Sequence, residues 1–480
     1  MKLLNDILHE FRSCFSRKAT FHWFVIIIIG LMIRTDTLGL TSIMRDLNIN
    51  GRLYEAMIHF FYSKAWCLEN LRKAWIHITK KHAPLIKISD RYVLPADGVK
   101  QSKEGRFMPG VKKLVNESEN SATPSYMFGS MFGSVGVLAG NSKKTFCIPL
   151  WTDLHDGVAS AFTWANLTER LHSHVVQVII NCYKTATMLG ASIGVLDRYF
   201  MTRPALKMLD HLNATCGQRL HIVIRAKTSY VVYGEPPGPT GKRGRTRKRG
   251  KVKYILIDFF KTKADKFKDV TVNYYGKQRT VKAYVSNFVW GDGLNKVFRF
   301  VFVNVDGSKT ILACTDLTLG VKEIVELYCL RFKIESTFRE LKQVISGFGY
   351  CFWTKSLSKL DRYRKKGEPD EFERIDSDED RKRVINKIRA IEMYALCCNI
   401  ALGLLQILAL RIGESIDVRK IRYLRTYSNT TPSEATMAVY IRQQLYSIFS
   451  GSRELPIVRI IKSKQRPPRG HENTTNLGAA

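Results

Sequence analysis

Val321 to Ile345 reads VKEIVELYCLRFKIESTFRELKQVI, and its spacing predicts one continuous amphipathic helix. At about 100° per residue, Tyr328, Arg331, Glu335, Arg339 and Lys342 fall within about an 80° arc. Leu330, Ile334, Phe338 and Leu341 form an adjoining apolar stripe, and Lys333, Thr337 and Glu340 are expected opposite, on a solvent face. The stripe that buries the helix therefore borders one of mixed charge, which puts Glu335 at the edge of a core. In one reading Glu335 pairs with Arg331 and Arg339, four residues before and after it, for a few tenths of a kcal/mol. In the other, a carboxylate among cations marks a place where a metal ion meets a phosphate, Glu335 facing the metal and the cations the polyanion. Partner carboxylates on other elements decide between them.

Upstream, Tyr92-VLPADGV, Tyr126-MFGSMFGSVGVLAG and Thr145-FCIPLW read as three successive strands. A helix over His172 to Leu189 follows, then a strand at Ala191-SIGVLD, a helix from Pro204 to about Cys216 and a strand at His221-IVIRA. This order predicts an α/β fold with a mixed sheet. Asp97 ends or interrupts the first strand and Asp197 ends the fourth. Ligands and metals gather where strand ends converge. Two strand-borne Asp and one helix-borne Glu could hold two Mg²⁺ ions roughly 3.5–4 Å apart. Oxygen-only ligands favour magnesium, with manganese as substitute, over zinc. Either Asp alone is equally well a turn former or cap.

The wider composition points the same way. Against 42 Asp+Glu the chain sets 76 Lys+Arg, a net charge of +34, which predicts a polyanionic partner, nucleic acid before an anionic membrane. Hydrophobic residues make up 45% of the chain, enough to bury a real core, and 480 residues suit a catalytic core with accessory domains. The apolar run Phe24 to Ile33 is about half the length of a spanning helix and reads as a buried helix, so no membrane partner is expected. The basic residues before it imitate a signal peptide, but no small-residue cleavage pattern follows. Ten cysteines without a C-x-x-C pair indicate neither a zinc site nor a disulfide framework and fit a reducing compartment, the cytoplasm. Asp153, His155 and Asp156 form the one tight Asp/His cluster, more a turn than a metal site.

Five regions are expected: a helical N-terminal domain at 1–88; the first part of the core at 89–230; a basic linker and β-rich insertion at 231–315; the Glu335 helix and further helices completing the core at 316–412; and a C-terminal region with a disordered tail at 413–480. Residues 41–62 are compatible with a helix-turn-helix about Asn50-Gly51, or with any helical hairpin. The linker carries Lys242, Arg243, Arg245, Arg247, Lys248, Arg249 and Lys251, a strip suited to a DNA backbone. A phosphate-binding Gly-rich loop is excluded there, since Pro236 and Arg243 stand where Gly and Ser/Thr are needed. Asp306-Gly307 between two alternating runs signals a hairpin. A long apolar helix is expected from Arg383 to Arg411.

Tyr328, Arg331, Glu335 and Lys342 complete the spacing Tyr-x2-Arg-x3-Glu-x6-Lys, and LPADGVKQSK around Asp97 and GVLDRYF around Asp197 accompany it in order. In these blocks the chain resembles the IS-four-type insertion-sequence transposases of the DDE superfamily, over about residues 90–350. The resemblance implies an RNase H-like core with Asp97, Asp197 and Glu335 as catalytic metal ligands. It also implies cut-and-paste transposition: water nicks one strand, the freed 3′-OH makes a hairpin on the transposon end, and the reopened 3′-OH attacks target DNA. Tyr328, Arg331 and Lys342 would grip phosphates of the transposon end, with Arg339 beside them. Trp290 is the candidate for holding a flipped base, against a plain core role and against Trp353. Double-stranded DNA, a homodimer pairing two ends, and a nucleoid-associated location follow as expectations.

Overall fold

Alternation and β-branching carry the strands into one sheet. The computed structural model describes all residues except 37–38, 117–123, 142, 238–245, 364–366, 370, 428–430, 451–454 and 467–480. The described strands are β1 Lys87–Ile88, β2 Arg91–Ser102, β3 Lys112–Val115, β4 Tyr126–Gly140, β5 Thr145–Leu154, β6 Ser192–Leu196 and β7 Leu220–Arg225. They continue with β8 Val231–Tyr233, β9 Lys253–Ile255, β10 Lys268–Tyr274, β11 Lys277–Trp290, β12 Lys296–Val305 and β13 Ser308–Cys314. Their order is β3-β4-β2-β6-β7-β13-β12-β11-β8-β9, with β5 also on β4, β10 on β11 and β1 on β2. β2, β6 and β7 are mutually parallel, and every other pairing is antiparallel. The fold is therefore α/β with a large mixed sheet, as the element order predicts.

β6 is buried at every position, flanked by parallel neighbours, and its connection to β7 runs through the helix Arg203–Cys216, capped by Thr202. The helix His174–Leu189 lies on β2 and β4. The predicted β insertion extends the same sheet, because β13 pairs with the edge of β7 and leaves no free edge there. Asp306 and Gly307 both have positive φ, 46° and 86°, the mirror-image turn that a tight hairpin requires. Tyr275 and Gly276, at 50° and 86°, make the same turn between β10 and β11, a hairpin that sequence reading misses.

Three helical expectations change. The 321–345 helix breaks after Leu330 and resumes as Lys333–Gln343. Thr337 is not on a solvent face but 2% exposed, its hydroxyl donating to the carbonyl of Cys147 on β5 at 2.6 Å. The long apolar helix starts earlier than expected, at Asp378, because Ser377 caps it and three acidic residues fill its first turn, and it runs to Ile412. This helix is long and apolar enough to cross a membrane, yet 94% of its apolar window is buried in the fold, against Lys18–Ile33 and β5. Phe24 to Ile33 is buried throughout.

Residues 41–62 form two helices of six residues, Thr41–Asp46 and Tyr54–His59, the second flanked by the 3₁₀ turns Gly51–Leu53 and Phe60–Tyr62. Asn50 caps by accepting from the Arg52 N–H, while Asn48 takes the positive φ. One connected apolar core runs from Leu4 through the sheet to Ile461. The expected tail from Gln465 falls almost wholly outside the described residues, as do Lys242, Arg243 and Arg245.

Candidate active site

Two strands bring the aspartates level. Val93 to Ala96 bury β2 as far as Asp97, and β6 is buried up to Leu196, directly before Asp197. The parallel register pairs Tyr92 with Ser192 and Pro95 with Val195, so two residues further on Asp97 and Asp197 stand at the same height on neighbouring strands. Asp97 Oδ1 accepts from the Gly98 N–H at 2.7 Å.

The break at Arg331 and Phe332 delivers the third carboxylate. Arg331 donates to Asp97 Oδ2 at 3.1 Å with one amino group and to Glu335 Oε1 with the other, so one guanidinium bridges both. Arg331 is largely buried, 16% exposed, while Glu335 is 56% exposed. Burial pushes the Asp97 carboxyl up to about 6, the Gly98 N–H and Arg331 pull it back, and the charges of Asp197 and Glu335 raise it further. Tyr328 is pushed up to about 12, chiefly by burial, so its phenol stays protonated and can donate. Arg331 is held above its ordinary value: burial opposes this, and Tyr328, Asp97, Glu335 and Asp197 outweigh it. Asp97, Asp197, Tyr328, Arg331 and Glu335 thus form one electrostatic cluster. Among the described residues no three Asp, Glu, His or Cys side chains already converge as a metal cage.

The other expected residues divide. Lys342 lies at the same edge, its ammonium donating to the Lys100 carbonyl at 2.9 Å on β2, and burial lowers its pKa. Arg339 is 61% exposed and pairs with Glu340 rather than Glu335. Trp290 takes the core position weighed against the base-holding one: it is 8% exposed, its ring 5.2 Å from Tyr230 and 6.1 Å from Phe298, whereas Trp353 is 56% exposed. Arg247 and Lys248 are exposed. Arg249 pairs with Asp292 and covers the ring of Tyr233.

Asp153 and His155 belong to buried structure. Asp153 binds Arg72 at 2.6 Å, and the Nδ1 atoms of His155 and His174 are 2.7 Å apart. This imidazole pair lies on Gly98 and Gly133, which face each other across β2 and β4; a Cβ on Gly98 would come within 2.7 Å of His174 Nε2. The glycine after Asp97 is thus required by packing, which no linear pattern reveals. Arg225, ending β7 within electrostatic reach of Tyr328, was also missed, although its place at the end of a parallel strand was a usable signal. Lys103 was missed too: it reaches the carbonyls of Phe348 and Tyr350 in a cavity of about 560 Å³ that Lys342 also lines, and burial lowers it to about 8. In comparison with known proteins, the chain matches no family model and no curated protein.

Proposed function

We propose that this chain is a DNA transposase with an RNase H-like core, in which Asp97, Asp197 and Glu335 hold magnesium, or manganese in its place. The observation that carries the reading is the β2–β6 register, which levels Asp97 with Asp197 while Arg331 ties Asp97 to Glu335. The order β5-β4-β2-β6-β7, antiparallel on one side and parallel on the other, supports the RNase H-like assignment. The donor set fits a hard divalent cation, since it is carboxylate oxygen alone, and burial first, then the charges of Asp197 and Glu335, raise the Asp97 carboxyl. Bound there, the ion would supply the charge that activates an attacking water or 3′-OH and stabilises the leaving oxygen. Arg331 orients two carboxylates, protonated Tyr328 offers a donor to a phosphate oxygen, and Lys342 places a cation on the same edge. The net charge of +34 supplies attraction to double-stranded DNA. A homodimer joining two ends, acting at the nucleoid in the cytoplasm, belongs to the same reading.

One observation favours a second reading, a DNA-binding relative that does not cut: Arg331 already compensates two of the three carboxylates. Inverted repeats bracketing the gene would provide the substrate. With Mg²⁺, wild type nicks that DNA to leave a 3′-OH. Glu335→Gln loses more than the roughly 10–100-fold typical of an outer-shell partner. Equal rates for the two proteins would overturn the carboxylate assignment, and binding without cutting by wild type would support the second reading.

A further inference from the structure

The N-terminal helices and the helix Pro456–Lys462 meet in a cavity of about 460 Å³ that the proposed chemistry does not use. His9, Arg12, Lys18 and His22 line it from the N-terminal helices, and Arg459 and Ser463 from the helix Pro456–Lys462 and its end. No lining residue carries a carboxylate. Among the described residues, Arg12, Lys18 and Arg459 have no acidic partner; the nearby Glu10 is engaged by Lys81 and His82. Lys464 adds its charge beside His22, whose pKa burial, Lys18, Lys464 and Arg12 all lower. Like charges gathered without a counter-charge repel, and a bound anion relieves that repulsion. The Ser463 hydroxyl already donates to the Ile460 carbonyl, His9 Nδ1 meets the Asn5 carbonyl and one Arg12 amino group donates to the Phe15 carbonyl, so the Lys18 ammonium, the Arg459 fork and the rest of the Arg12 guanidinium are the donors left for phosphate oxygens.

We propose that this cavity binds a phosphate group, clamping the N-terminal helices to the helix Pro456–Lys462. The phosphate comes either from a nucleic-acid backbone, outside the carboxylate site, or from a free phosphate. Lys18→Gln/Arg459→Gln tests it, because both side chains are exposed and make no side-chain hydrogen bond among the described residues, so the variant keeps its fold as read by circular dichroism. Two measurements are made: the melting shift produced by inorganic phosphate, and the salt dependence of binding to a duplex of arbitrary sequence. If the source is DNA, the variant loses the phosphate-induced shift and, with one phosphate contact gone, the slope of log K against log salt falls by about 0.9. Loss of the shift with an unchanged slope supports the site and assigns it to free phosphate. An unchanged shift together with an unchanged slope overturns the proposal. The proposal rests partly on the DNA-enzyme reading, but neither measurement involves cleavage, so its failure and the failure of that reading are told apart.

Discussion

Asp97→Asn separates a functional carboxylate from a structural ion pair by its effect on stability. The folded chain holds the Asp97 carboxyl at about 6, against an ordinary value of 3.8. The group is protonated in both states below the unfolded value, so its raised pKa gives stability there that is lost as pH rises through about 6. The shift corresponds to about 3 kcal/mol at most, and screening at a side chain 26% exposed reduces the expectation to about 1–2 kcal/mol. Asparagine keeps an oxygen for Gly98 N–H and Arg331 but carries no charge. In EDTA, urea unfolding should therefore find the variant more stable than wild type by about 1–2 kcal/mol at pH 8 and nearly equal to it at pH 4. With Mg²⁺ the wild type should gain stability by ligand linkage and the variant little. A variant less stable than wild type at pH 8, or a difference that does not change with pH, would refute the reasoning, because Asp97 would then serve Arg331 as an ordinary structural partner.

Three other outcomes follow from the same structure. Glu335→Gln should abolish Mg²⁺-dependent nicking of the bracketing repeats without lowering DNA affinity, as gel shift and cleavage on one substrate would show. A Cβ at Gly133 would lie 2.0 Å from His155 Cε1, so Gly133→Ala should destabilise by about 1–3 kcal/mol or more in urea titration; an unchanged midpoint would mean the imidazoles are free to move. Trp290→Ala should lower stability by about 3–5 kcal/mol, as expected for a buried indole, while DNA binding by the folded fraction stays unchanged. A selective loss of affinity for DNA with an unpaired base would instead return Trp290 to the interface.

The elements that position the site were legible because each carries its own period. β2, β4, β5, β6 and β7 and the two helices between them follow from alternation, buried runs and turn residues. Elements specified by their partners were not. β10 is a seven-residue strand with exposed and buried positions mixed, and the turn that pairs it with β11 uses Tyr275, a residue type that does not advertise positive φ. The break in the 321–345 helix has no proline or glycine, and both Arg331 and Phe332 keep helical dihedrals. Helix angle puts Thr337 opposite the apolar stripe, yet β5 covers that side of the helix, and a single hydroxyl satisfied by the Cys147 carbonyl buries readily.

At the site itself, the sequence supplied two competing accounts of Glu335, and one side chain satisfies both. The contact of Arg331 with Glu335 spans four residues and is readable from helix geometry; its contact with Asp97 spans 234 and exists only because the helix Lys333–Gln343, which Arg331 precedes, packs against β2. A guanidinium and a divalent cation answer the same demand, positive charge between carboxylates that raise one another's proton affinity. The ion pair is therefore common to the metal-site and structural readings and discriminates against neither. What discriminates is the aspartate pair, since a helix-stabilising Glu–Arg contact has no need of two acidic strand ends at equal height beside it. Part of Asp97's charge is held against burial and two like charges, which is costly for a structural contact and useful for a site that must attract a cation.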